Sequence, residues 1–256
     1  MTYTGPVRGA QPSTAVGSLR LVTYNIHKGI GGVDRRYRLE RTIAVLEHCQ
    51  GDIVFLQEVD EGARRSRFDR QVDVLGDALG LDHRAFYPNH RLRRGHYGNA
   101  ILSRFPLDHT ENIDLTQPLK KRRSAVHARL TLAKTDGRVR LWLFNVHLGL
   151  AEYERRRQLR RIVDWQIEHR RHHDTAVVIA GDFNDVWGRL GRTVLEPEGY
   201  VGTSRAIRTF PAIGPLRPLD RAFVSASLRI ANAYRSRLER ARHASDHLPL
   251  VVDLVI

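Results

Sequence analysis

The stretch Ala176-Val177-Val178-Ile179-Ala180-Gly181-Asp182-Phe183-Asn184 is an unbroken apolar run that stops at Gly-Asp. Such a run predicts a short strand that is buried on both faces. An unpartnered carboxylate is costly to bury, so we expect Asp182 where this strand emerges. Alternate side chains of an extended chain point the same way, which puts Asn184 on the face of Asp182. Two explanations fit: a ligand site at the carboxyl end of a strand, or an Asx-rich turn that closes it.

The chain has 256 residues, which is enough for one large domain with a sizeable core. Residues 1–18 lack a continuous apolar segment and predict a flexible N-terminal tail, and residues 19–256 predict a single domain. No apolar run approaches the roughly 20 residues that span a bilayer. The single cysteine, Cys49, cannot form an internal disulfide. A reducing compartment follows, so we expect a cytoplasmic protein, and a monomer.

The formal net charge is +14, and all but four of the 42 basic residues are arginine. A strongly basic surface favours polyanions: nucleic acid, anionic lipid headgroups or phosphate-bearing metabolites. Arginine suits bidentate contacts with phosphate, although genome base composition also contributes to such a skew. The charge therefore predicts an anionic partner without identifying it.

Two strand-helix-strand units form a weak internal repeat. The first joins predicted strands 19–26 and 52–59 through a helix at 37–49, and the second joins strands 139–148 and 176–182 through a helix at 152–171. The first strand of each unit ends in polar side chains, and the second ends in an acid. These tips are Asn25, then Asn145 with His147, and Glu58 and Asp182. Convergence on one cleft is one interpretation, and coincidence is the other, since such units are common.

The remaining chain predicts further strands near 107–115, 124–132, 219–224 and 248–255, and a loop from Asn89 to Gly98. The candidate metal ligands are all oxygen donors: Glu58, Asp182, Asp246 and the amide oxygens of Asn25 and Asn184. Hard oxygen ligands favour magnesium, manganese or calcium over zinc. His147 lies at a strand end, and His247 follows Asp246 directly before an apolar strand.

Six short motifs occur in order along the chain. They are Thr23-Tyr24-Asn25, Leu56-Gln57-Glu58-Val59, Asn145-Val146-His147-Leu148, Gly181-Asp182-Phe183-Asn184, Leu219-Asp220-Arg221 and Ser245-Asp246-His247. Together they resemble the endonuclease/exonuclease/phosphatase superfamily, from about residue 19 to 256. Its members include DNase I-like nucleases, neutral sphingomyelinases and inositol-polyphosphate phosphatases. Further segments resemble a bacterial subgroup of uncertain substrate.

The resemblance implies a DNase I-like fold of the α/β (α+β) class. This fold is a four-layer α-β-β-α sandwich, in which two packed mixed β-sheets are flanked by helices. It also implies a divalent cation, Mg²⁺ or Mn²⁺, held by Glu58 with help from Asn25, while Asp246 supports the metal or its waters.

The resemblance further implies catalytic roles for five residues. Asp182 activates the attacking water or helps to hold a metal. Asn184 and His247 donate hydrogen bonds to the phosphoryl oxygens, and Asp220 orients His247. His147 contacts the phosphate or assists the leaving group.

Three more positions are candidates for substrate binding. Asn99 either supports His147 or the phosphate, or satisfies a loop backbone. Lys28 and Arg123 either recognise a second phosphate or are simply solvated charges. The predicted function is a metal-dependent phosphodiesterase, for which an endo- or exonuclease on DNA or RNA is one form. A hydrolase of phospholipids or small phosphoesters is the alternative, and a non-catalytic nucleic-acid-binding module is the third hypothesis.

Overall fold

The computed structural model describes residues 16–135, 137–169 and 175–256. Most of the predicted tail, and the predicted end of the helix at 170–171, lie outside the described residues. The last part of the predicted tail is joined to the fold: the N–H of Val16 donates to the carbonyl of Ala133 at 2.9 Å, and Ser18 begins the first strand.

The described chain forms twelve strands and four α-helices. The strands are β1 Ser18–Asn25, β2 Ile53–Glu61, β3 His83–Arg91, β4 His96–Ser103, β5 His109–Asp114, β6 Ser124–Lys134, β7 Gly137–His147, β8 Ala176–Asp182, β9 Val201–Gly202, β10 Asp220–Val224, β11 Arg229–Arg235 and β12 Leu250–Val255. The helices are α1 Leu39–Cys49, α2 Gln71–Leu79, α3 Glu152–His169 and the single turn α4 Ala241–Ala244.

Two six-stranded sheets pack face to face. The first has the order β11-β12-β1-β2-β4-β3 and the second β5-β6-β7-β8-β10-β9. The core between them takes Leu21 and Phe55 from the first sheet and Leu143 and Val178 from the second. A second apolar cluster packs α1 and α2 on the first sheet, and a third packs α3 on the second. The predicted four-layer α-β-β-α sandwich is confirmed.

The predicted loop from Asn89 to Gly98 is wrong, because β3 and β4 form a hairpin there with its turn at residues 92–95. β3 is an edge strand, so its outer side meets water and tolerates the His and Arg residues that suggested a loop. Pro88 sits beside a register shift in this strand, and an edge position permits its missing N–H.

The strand directions bring many strand ends to one edge of the sandwich. β1 and β2 are parallel, as are β7 and β8, so their carboxyl ends lie on the same side within each sheet. Antiparallel pairing brings the beginnings of β4, β6, β10 and β12 to the same side. We call this side the tip edge, and the other side the opposite edge.

Candidate active site

The carboxylate of Asp182 is the centre of a polar cluster at the tip edge. Its Oδ2 accepts a hydrogen bond from Asn25 Nδ2 at 3.1 Å, across the two sheets. The same oxygen lies 3.6 Å from Nε2 of His147 and 3.8 Å from Nε2 of His247. Asp182 is 1% exposed. The two halves of the chain therefore bring three of their polar tips, Asn25, His147 and Asp182, together in one cleft.

Asn184 holds Asp182 from the other side. Its backbone N–H donates to Asp182 Oδ1 at 2.9 Å, and its own φ of 50° lies in the left-handed region that asparagine tolerates. Its amide Nδ2 donates to the carbonyl of Leu148 at 2.9 Å. An amide nitrogen carries two hydrogens, so a second donor is available to a ligand. The stretch is thus an Asx turn, and this turn orients the carboxylate of the site.

His247 and Asp220 form a buried pair. Nδ1 of His247 lies 2.8 Å from Oδ2 of Asp220, and both residues are almost fully buried. Burial alone lowers the pKa of His247, but the charges of Asp220 and Asp182 outweigh it and raise the pKa to about 10. The ring is therefore an imidazolium at neutral pH. With Nδ1–H on Asp220, its Nε2–H points towards Asp182.

His147 is neutral at pH 7, in contrast to His247. Burial, together with the positive charge of Arg123, lowers its pKa to about 4, although Asp182 and Glu58 act in the other direction. The site thus holds one charged and one neutral imidazole on either side of a single carboxylate. This separation of two pKa values suits a site in which different groups donate and accept protons.

Glu58 lies in a β-bulge. The pairing of β2 with β4 shifts register between Leu56 and Val59, and Glu58 has a φ of 58°. Bulges re-aim a side chain, which here brings the carboxylate against the ammonium of Lys28. Burial raises the pKa of Glu58, but positive charge around it lowers the pKa to about 2. Because His147 is neutral at pH 7, the low pKa of Glu58 is attributed at that pH to the ammonium of Lys28, which is paired with it.

The donor set fits a magnesium-type ion. In residues 16–135, 137–169 and 175–256, no group of three His, Cys, Asp or Glu side chains is arranged to hold an ion by itself. Mg²⁺ keeps several waters and typically takes one or two carboxylates plus substrate phosphates. Glu58 supplies one ionised carboxylate. Asn25 Oδ1 accepts from the N–H of His27 at 3.0 Å and has a second lone pair.

Asp246 and Glu58 contact different groups in the structure. Asp246 is half-buried, and its Oδ1 lies 3.3 Å from the hydroxyl of Ser245. That hydroxyl donates to the backbone carbonyl of Asn25 at 2.7 Å. Asp246 therefore reaches the cleft through Ser245, and its effect on a metal remains a prediction.

Arg123 and Asn99 differ in what they offer to a ligand. Arg123 is 9% exposed, and its Nε has no hydrogen-bond partner in the described chain. A buried guanidinium with an unused donor, close enough to depress the pKa of His147, is suited to bind an anion in the cleft. Asn99 instead donates from Nδ2 to the carbonyl of Ser124 at 3.5 Å, which favours the backbone-satisfying explanation.

Asn145 was predicted as one of the polar tips of the cleft, and the structure corrects this position. Asn145 is fully buried and donates to the carbonyls of Leu56 and Ala100, at 2.9 and 2.8 Å, in the facing sheet. Its Oδ1 accepts from Gln57 Nε2 at 2.7 Å. Asn145 therefore joins the sheets beneath the cleft and does not line it. The signal was available, because an amide inside an apolar strand needs internal partners.

The Endonuclease/Exonuclease/phosphatase family profile matches residues 22–247 of this chain. The uncharacterized protein YbhP of Escherichia coli K12 is 32% identical over 257 residues, which cover 93% of this chain and 96% of that protein. The crystal structure of an endonuclease/exonuclease/phosphatase from Beutenbergia cavernae has a TM-score of 0.75 and 22% identity, over 94% of this chain and 72% of that one. The crystal structure of D. rerio TDP2 complexed with single strand DNA product has a TM-score of 0.68 and 19% identity, over 94% and 100%. These two structures share the fold with this chain.

Proposed function

Because this chain belongs to the Endonuclease/Exonuclease/phosphatase family, we propose that it is a divalent-metal-dependent phosphodiesterase. Members of the family are hydrolases that act on phosphoesters. The observation that carries the proposal is the meeting of three side chains at the carboxylate of Asp182 at the tip edge: Asn25 donates a hydrogen bond to it, and Nε2 of His147 and of His247 lie 3.6 and 3.8 Å away. A binding module without catalysis has no need for this charged and buried arrangement.

The residues of the cleft have different roles in phosphoryl transfer. This reaction needs positioning and charge stabilisation more than covalent chemistry. Asp182 accepts the proton of the attacking water. His247, fixed by Asp220, donates from Nε2 to a phosphoryl oxygen, and Arg123 supplies a second cation. Glu58 would hold a divalent ion, and such an ion would supply positive charge to neutralise the phosphoryl group.

The neutral ring of His147 is the candidate for assisting the leaving group. With a pKa of about 4, the ring is neutral at pH 7. One of its nitrogens then donates a hydrogen bond and the other accepts one. Its Nε2 lies 3.6 Å from Asp182 Oδ2, a separation that allows both groups to contact one phosphate. A nuclease activity on DNA or RNA and a phospholipid or small phosphoester activity are both compatible with this chemistry.

The test compares wild type, Asp182→Asn and the control Asp164→Asn, with bis(p-nitrophenyl) phosphate as substrate and Mg²⁺ or Mn²⁺ present. Asp164 is an exposed residue on α3, so its substitution changes the same charge outside the cleft. Asp182→Asn is expected to lower kcat by about 10²–10⁴, the usual contribution of a general base. Full activity of Asp182→Asn, with an unchanged melting temperature, would refute its role. No hydrolysis by the wild type with either metal would overturn the proposed function.

A further inference from the structure

Exposed apolar side chains are concentrated at the tip edge. Of the twelve large hydrophobic residues that are exposed in the described chain, seven lie on connections that leave or enter strands at the tip edge, and Tyr153 lies in the first turn of α3 beside them. The seven are Val33, Phe68, Leu119, Leu150, Trp187, Ile213 and Leu216. The other four lie within helices or strands, and none lies on the described connections of the opposite edge.

These side chains are strongly exposed, and they share the tip edge with the residues of the cleft. Leu119 is fully exposed, Leu150 is 72% exposed and Trp187 is 70% exposed. Each lies close in sequence to a site residue: Leu119 comes four residues before Arg123, Leu150 three residues after His147, and Trp187 five residues after Asp182. Contiguous apolar groups at a protein surface mark an interaction site, whereas scattered ones do not.

Basic residues lie on the same connections. The exposed ones include Arg35, Arg36, Arg64, Arg67, Arg93, Arg94, Lys120, Lys121, Arg122, Arg189, Arg205, Arg208 and Arg217. Trp187 and Leu216 line one cavity together with Arg205, Arg208 and Arg217. Lys120 lies 5.5 Å from the ring centre of Tyr153, which joins the Leu119 connection to the start of α3. Apolar and basic groups therefore occur together on the connections of the tip edge.

We propose that the tip edge docks on the surface of an anionic phospholipid membrane. Interfacial proteins combine Trp, Phe and Leu, which enter the boundary between headgroups and acyl chains, with Lys and Arg, which contact the phosphates. Single-stranded nucleic acid is bound mainly by aromatic stacking on a basic groove. Five of the eight apolar groups here are aliphatic, and aliphatic groups have no base-stacking role, so a lipid surface fits better.

Docking in this orientation turns the cleft towards the headgroups. The substrate class that follows is a phosphodiester of a membrane lipid, which reaches Asp182 and His247 from the bilayer surface. This inference on the substrate rests on the proposed phosphodiesterase function. The docking itself does not, because it depends only on the apolar and basic groups around the mouth.

The binding test uses co-sedimentation of the full chain with vesicles of phosphatidylglycerol and phosphatidylcholine, and with vesicles of phosphatidylcholine alone. The wild type is expected to bind the anionic vesicles preferentially, and less tightly as salt is raised. The triple variant Leu119→Ser, Leu150→Ser, Leu216→Ser is expected to bind at least about tenfold more weakly. The control is Ile167→Ser, which removes a 69% exposed side chain from α3 and is expected to bind like the wild type.

Trp187 reports insertion directly. The other two tryptophans, Trp142 and Trp165, are buried, so a shift of emission to shorter wavelength on adding anionic vesicles comes from Trp187. Quenching by brominated lipid is expected in the wild type and absent in Trp187→Phe.

Hydrolysis of soluble bis(p-nitrophenyl) phosphate separates the two proposals. The triple variant is expected to keep wild-type activity on it, and to lose activity on lipid in vesicles. A wild type that is inactive on the soluble diester but binds vesicles would sink only the proposed function. An active wild type that ignores vesicles would overturn the docking. Tight binding of single-stranded DNA without vesicle binding, or a dimer that the triple variant abolishes, would overturn it in favour of those partners.

Discussion

Asp220→Asn tests how the cleft sets the charge of His247. The two side chains meet at 2.8 Å between Oδ2 and Nδ1, away from water. The pKa of His247 is about 10 against an ordinary 6.5. At roughly 1.4 kcal/mol per pKa unit, its surroundings favour the charged ring by on the order of 5 kcal/mol. Asp220 is the largest of the charges that raise this pKa, so a neutral asparagine of the same shape is expected to lower it by at least ~2 units.

The functional consequence depends on which nitrogen of the His247 ring carries a hydrogen. A neutral ring that donates from Nδ1 to the asparagine has no hydrogen on Nε2, and cannot donate to a phosphoryl oxygen. We expect kcat at pH 9 to fall by about tenfold or more, because a His247 pKa that is lower by ~2 units leaves roughly one ring in ten charged; complete loss of such a donor costs about 10²–10³. The stability contribution of His247 is fully present below the unfolded pKa near 6.5 and is lost as pH rises towards 10; in Asp220→Asn this loss moves to lower pH.

The assay pairs NMR titration of the imidazole Cε1–H signals, with the His247 signal assigned from His247→Gln, with a pH–rate profile on bis(p-nitrophenyl) phosphate. The control is Asp253→Asn, which breaks an ion pair with Arg20 that is 2.6 Å long and is formed outside the cleft. If Asp220→Asn left both the His247 pKa and kcat at wild-type values, the orienting role would be rejected.

Three further predictions follow from other parts of the molecule. A chelator is expected to stop turnover and Mg²⁺ or Mn²⁺ to restore it, with Glu58→Gln needing more metal for half-maximal activity; activity that is indifferent to chelator would contradict a metal at Glu58. Burial lowers the pKa of His127 to about 3, so urea stability is expected to fall as pH drops from 6.5 towards 3, because only the unfolded chain takes up the proton. His127→Phe should flatten this slope, and an equal slope would rule the histidine out as its source. Asn145→Leu removes the hydrogen bonds that Asn145 donates to two buried carbonyls and the one that it accepts from Gln57, whose amide keeps its bond to Thr23, and is expected to cost about 2–4 kcal/mol in urea unfolding, against little change for the exposed Asn232→Leu.

Two edge strands were missed by the prediction from apolar patterns in the sequence. β3 and β11 were not predicted as strands, and both lie at the edge of the first sheet. Both strands mix polar and apolar residues, so neither carries the apolar run that identified β1, β2 and β8. Strands that are buried on both faces were predicted correctly, because nearly every position in such a strand must be apolar.

The sequence by itself determined the buried strands, the polar residues at their ends and the order of the motifs, and from these the family and its four-layer fold. Burial and strand geometry impose those patterns on neighbouring residues, so they are visible along the chain. The charge of His247 and the neutrality of His147, the pairing of Lys28 with Glu58 in its bulge, and the grouping of exposed apolar side chains at the tip edge became visible only in the tertiary structure. Each depends on distances between residues far apart in sequence, such as Asn25 and Asp182, which are separated by 157 positions and joined by one hydrogen bond.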